Sequence, residues 1–193
     1  MKQRNSPEKD TIAEKLYGLI LNTFLPMVLL AAVSLFLLIN YNLRYSSVTG
    51  NITTASRFNQ DFKADVDLKM YYYVTGYSQE LPLEEIQTAR TLAQTLLSNS
   101  ANPESRKAAE SVLELCDSLM SSIDRIQKTQ GYDKRMEQLE NNIYVITQLI
   151  ETYLYTYLYH EAGQLASLQQ RLNRMLVVEL VAVLACKIGR AHV

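Results

Sequence analysis

The sequence predicts an all-α protein: a transmembrane helix followed by an antiparallel up-down-up-down four-helix bundle with long first and fourth helices. Three observations carry this prediction. An uncharged apolar run near the N-terminus is long enough to cross a bilayer. After it, apolar residues recur three and four apart, and turn residues divide that pattern into four stretches. Glycine and proline are otherwise sparse, tryptophan is absent, and no alternating strand pattern is found. The net charge of −1 makes nucleic acid an unexpected partner.

The apolar run covers residues 19–39, LILNTFLPMVLLAAVSLFLLI, and no charge stands between Lys15 and Arg44. A bilayer core takes about 20 apolar residues. Each Leu, Ile, Val or Phe contributes roughly −0.3 to −0.6 kcal/mol to insertion, enough together to outweigh Asn22, Thr23 and Ser34. Pro26 is a kink that a lipid-embedded helix tolerates. Residues 1–15 then form a leader and residues 16–41 the first span. Lys2, Arg4, Lys9 and Lys15 crowd that leader, so the positive-inside rule keeps it cytoplasmic and sends residues 42–174 to the far side.

The first bundle helix continues from the span, with an apolar face of Val48, Ile52, Ala55, Asn59, Phe62, Val66, Tyr73 and Tyr77. Gly76 is expected to stop it. Pro82, Glu84 and Glu85 suit the first turn of a second helix that buries Ile86, Ala89, Ala93 and Leu96 or Leu97. Asn102, Pro103 and Glu104 mark the start of a third, carrying Ala108, Val112, Leu115, Leu119, Ile123 and Ile126. Gly131 breaks it, and Asp133 is expected to cap the fourth. There the spacing is most regular, through Met136, Leu139, Ile143, Ile146, Ile150, Tyr153, Tyr157 and His160, a heptad seam. Beyond Gly163 the phase moves to Leu165, Leu168, Leu172 and Met175. Four such stripes are buried together in a bundle.

Residues 175–186, MLVVELVAVLAC, are expected to begin a second span, too short by themselves to cross. The last residues, IGRAHV, resemble the conceptual translation of a sequencing adapter, so residues 187–193 are expected to be a non-native tail and the chain a fragment.

No phosphate-binding loop, nucleophile motif or pair of histidines at ligand spacing is present. His160 and Glu161 are adjacent and so do not share a helix face, which argues against a metal site. Cys116 reads as a small buried hydrophobe, and a disulfide to Cys186 is not expected. The tyrosines cluster in the first and fourth helices. Tyr73, Tyr77, Tyr153 and Tyr157, with His160, are the candidate ligand-contacting residues, although tyrosines at this spacing also serve as core with hydroxyls at the rim. Gly163, at the phase shift, is the candidate signalling hinge.

Two segments, DFKADVDLKMYYYVTG at residues 61–76 and MEQLENNIYVITQLIETYLYTYLYHEAGQL at residues 136–165, resemble the sensor region of bacterial membrane histidine kinases. The resemblance implies an extracytoplasmic helical domain between two spans, and a homodimer that responds to an extracellular ligand. It also implies a cytoplasmic kinase core addressing a response regulator. The phosphoacceptor histidine and ATP-binding boxes are missing, so no catalytic residue is carried over, and ATP and Mg are expected only for that core. The ligand-binding half of a methyl-accepting chemoreceptor and a membrane-tethered structural bundle are the alternatives.

Overall fold

The computed structural model describes the backbone of residues 12–191, and side chains at residues 17–18 and 24–184. Among these residues every regular element is helical. α1 spans Ile12–Thr75, α2 Leu83–Asn99, α3 Pro103–Lys128, α4 Tyr132–Gln138, and α5 Tyr144–Ala191; a π turn, Leu139–Ile143, joins α4 to α5. α4, the π turn and α5 together are the fourth helix. The fold is thus all-α, with four helices packed together and the first and last long.

The chain divides into two compact units between Leu43 and Arg44. In the first, α1 already runs from Ile12, so part of the expected leader is helical; residues 1–11 of that leader lie outside the described residues. The apolar side chains from Phe24 to Ile39 stand exposed, Phe24 at 65% and Phe36 at 66%. α1 is long and apolar enough to cross a membrane, and none of that apolar window is buried.

The second unit is the bundle. Four helix ends have a local cause. α1 stops at Thr75 because Gly76 takes φ +79°, the left-handed conformation that a side chain disfavours. α2 begins one residue after Pro82, whose carbonyl accepts from the Ile86 amide at 3.2 Å, and Glu84 and Glu85 face the positive end of its dipole. Asn102 caps α3 as its spacing foretold: the side chain accepts from the Glu104 amide at 2.9 Å, with Pro103 next. The fourth helix is capped differently from expectation. Gly131, at φ +91°, occupies the cap, and Asp133 lies inside the first turn.

α2 packs on α3 and α3 on α5. α1 meets α2 through the Lys69–Glu85 ion pair and α5 through the Thr147–Asp67 hydrogen bond, which closes the ring. The core draws on all four helices. Phe62, Val66 and Met70 belong to one cluster with Ile86 and Leu96, Leu119 and Ile126, and Leu139, Ile143, Ile150 and Leu154. Each such burial is worth about 1.5–3 kcal/mol.

Two seams differ from the sequence pattern. In α1 the buried line is Val48, Asn51, Ala55, Asn59, Phe62, Val66, Met70 and Val74, so Asn51 replaces Ile52, and Met70 and Val74 replace Tyr73 and Tyr77. In the fourth helix it is Leu139, Ile143, Thr147, Ile150, Leu154, Tyr157 and Glu161. The expected positions Ile146 and His160 are half-buried, and Tyr153 is 37% exposed. The helical repeat is the physical reason: at 3.6 residues per turn, five turns lead from Ile143 to Glu161 by way of 147, 150, 154 and 157, whereas a strict heptad of 3.5 drifts toward 146, 153 and 160.

Candidate functional site

The sequence-predicted residues separate into distinct places. Tyr73 packs at the edge of the core near the end of α1, while Tyr77 is 83% exposed and leans on Tyr72, ring centroids 6.1 Å apart. Tyr157, on α5, is fully buried and lies within electrostatic reach of Asn51 on α1. Tyr73 stands 22 residues beyond Asn51, about 33 Å along a helix. Tyr73 and Tyr157 therefore do not share one pocket. His160 sits edge-on to Tyr159 at 5.5 Å and lines a shallow recess of about 470 Å³ with Asn102, Gly163 and Gln164. Gly163 lies within unbroken α5, and a side chain added there would meet nothing within 4 Å. Among the described residues no cluster of His, Cys, Asp or Glu is arranged to hold a metal ion.

Two features stand out that periodicity alone did not assign. One is a buried polar layer. Glu161 on α5 is 1% exposed and accepts from the Ser100 hydroxyl, in the turn between α2 and α3, at 2.7 Å. Beside it, burial raises the Tyr157 phenol well above the ordinary range, and the Glu161 carboxyl adds to this. The Ser100 and Asn51 side chains pull it partly back, yet the phenol oxygen has no partner at hydrogen-bond geometry. Asn51 Nδ2, both polar atoms of Asn59, and Ser105 Oγ are likewise buried without one. Glu161 was legible in principle, since it stands four residues from Tyr157 on one helix face; its polarity hid it from an apolar pattern.

The second feature is an open groove between α1 and α2, about 750 Å³, with Gly50, Phe58 and Phe62 among its lining. The two phenyl rings stack at 4.9 Å. Arg57, Asp61, Asp65, Glu84 and Glu85 rim it. Glu85 is held by Lys69, which also pairs with Glu80. Burial pushes the Glu85 carboxyl up, but the Lys69 ammonium and its own backbone N–H outweigh that and leave it below the usual range. The same two carboxylates raise Lys69.

No protein-family model, curated protein or solved structure matches the chain.

Proposed function

We propose that this chain is the sensing and signal-transmitting module of a membrane-bound two-component histidine kinase. In this reading α1 anchors it with the N-terminus in the cytoplasm, and residues 42–174 form an extracytoplasmic, homodimeric sensor domain. Residues 175–186 begin the second span, and the kinase core that would bind ATP and Mg and address a response regulator lies beyond them. The observation that supports this most is the continuity of α1. One helix, Ile12–Thr75, holds both the apolar run and the bundle's first core seam, and in this reading a shift of packed helices in the seam is the signal. α5 is equally unbroken from Tyr144 to Ala191.

Two experiments test the reading. The first is the reading frame past the Cys186 codon in source DNA. A completed apolar span followed by a histidine box and ATP-lid glycines is the expected result. A long Ala/Glu/Gln-rich hairpin would make the output that of a chemoreceptor, and a stop codon after a genuine Val193 codon would leave no output at all. The second is orientation: an impermeant thiol reagent applied to intact cells should label a cysteine at Ser47 and spare one at Ser6. The reverse labelling would overturn an extracytoplasmic sensor.

A further inference from the structure

We infer that the groove between α1 and α2 binds a linear organic polyamine, ammonium groups on its carboxylate rim and methylene runs on its phenyl floor. The hydroxyls of Thr53, Thr54 and Thr88 donate to the carbonyls of Thr49, Gly50 and Glu84, at 2.9, 2.9 and 2.8 Å. Those donors are committed to their own helices, and the hydroxyl oxygens keep lone pairs that can only accept. The carboxylates are also acceptors. Among the lining side chains, Arg57 alone offers an uncommitted charged donor. A groove so lined receives a ligand that brings N–H donors and positive charge.

Charge points the same way. Four carboxylates face one guanidinium along the groove, in a chain whose net charge is only −1. Lys69 answers Glu85, but among the described residues Asp61, Asp65 and Glu84 have no ion-pair partner. One oxygen of Glu85 is enclosed and makes no hydrogen bond. Shape selects a linear cation. The groove runs on along Thr91 and Thr95 as a second recess of about 510 Å³ that shares Thr54, Phe58, Glu84 and Thr88 with the first. The hydroxyls of Thr91 and Thr95 are committed in the same manner, to Gln87 and Thr91. Asp61 and Asp65 are one turn apart, about 6 Å between Cβ atoms, which is the reach of a four-carbon diamine. Half-buried Phe58 supplies an apolar and cation-attracting surface in the same lining as the acids.

The test is spermidine titrated calorimetrically into the full chain in nanodiscs of zwitterionic lipid, so that lipid charge does not compete. Saturable binding is expected, weakened tenfold or more by Asp61→Asn with Glu84→Gln and severalfold by Phe58→Ala. Arg57→Ala, which removes the repelling cation, should tighten it at least threefold, a gain that a misfolded variant would not give. Glu110→Gln with Glu114→Gln, exposed acids on α3, should change nothing. Equal weakening by the α3 pair, unchanged affinity in Asp61→Asn with Glu84→Gln, or displacement by Mg²⁺ at matched charge would overturn the assignment. So would a groove covered by a second copy, read as spermidine binding only to monomer. The titration requires neither output nor orientation, so its failure is distinct from failure of the sensor reading.

Discussion

At the scale of single residues, burial decides reactivity. Cys116 is fully buried in α3, and desolvation, with a smaller push from Asp117, raises its thiol to about 12. The native protein should therefore resist maleimide at pH 7.5 at Cys116 and react within minutes in denaturant; fast native modification would contradict the packing. The Lys69–Glu85 pair gives a pH signature. Glu85 is depressed in the folded state, so its stabilisation is present above the ordinary glutamate range and lost as pH falls through the folded value. Lys69 is raised, so its share is present below the ordinary lysine range and lost as pH rises through the folded value. Lys69→Met should accordingly flatten the acid limb of a denaturant-midpoint profile between about pH 5 and 3. An unchanged limb would show that the pair contributes nothing. Residue identity was legible where the chemistry was local. Asn102 and Gly76 announced their conformations, whereas the polarity of Asn51 and Glu161 hid their burial, because the partners that surround them come from other helices.

At the scale of elements, the fourth helix shows where periodicity runs out. Its existence, its length and most of its core, including Ile143, Ile150 and Tyr157, follow from three-and-four spacing. The choice between the flanks 146/153/160 and 147/154/161 does not, because both lie beside the same central residues. The difference between 3.6 and 3.5 residues per turn separates them only over several turns, and no composition rule marks the π turn at Leu139–Ile143. Leu154→Ala should cost about 2–5 kcal/mol, and Tyr153→Ala, on the exposed flank, within about 1 kcal/mol. Gln148→Ala should stay within about ±0.5 kcal/mol. Denaturant melts of the full chain would compare them; equal losses at Tyr153 and Leu154 would put the seam back where the heptad alone placed it.

At the scale of the whole molecule, the layout of long and short helices was legible because length and turn chemistry are written locally. α1 and α5 span 64 and 48 residues, against 17 for α2 and 26 for α3. The candidate site was less legible. The groove depends on which faces of α1 and α2 are brought together, and threonines there look like ordinary solvated positions until their hydroxyls are traced. Gly163 gains a sharper test. Since a methyl group at that position meets nothing, Gly163→Ala should leave the fold intact and raise helix stability by about 0.5–1 kcal/mol. A locked output in that variant would then report stiffening or a contact with a second copy, because no clash inside the chain is available to explain it. Unchanged output, with unchanged crosslinking between cysteines placed along residues 160–172, would remove the hinge.

Replacing the interior polar atoms that lack a hydrogen-bond partner by apolar groups is expected to stabilise this bundle. A buried polar group without a partner costs about 1–3 kcal/mol, and replacing it by an apolar group of like shape removes that cost. Tyr157→Phe deletes an unpartnered hydroxyl and little else; Asn59→Leu deletes two unpartnered atoms from the α1 seam. Both should raise the melting temperature by a few degrees, and a drop on Tyr157→Phe would show that Asn51 or Ser100 holds the phenol after all. The same substitutions offer the experimenter a hardened form of the protein, suited to purification and crystal growth, in which any response that depends on a yielding interior would be muted.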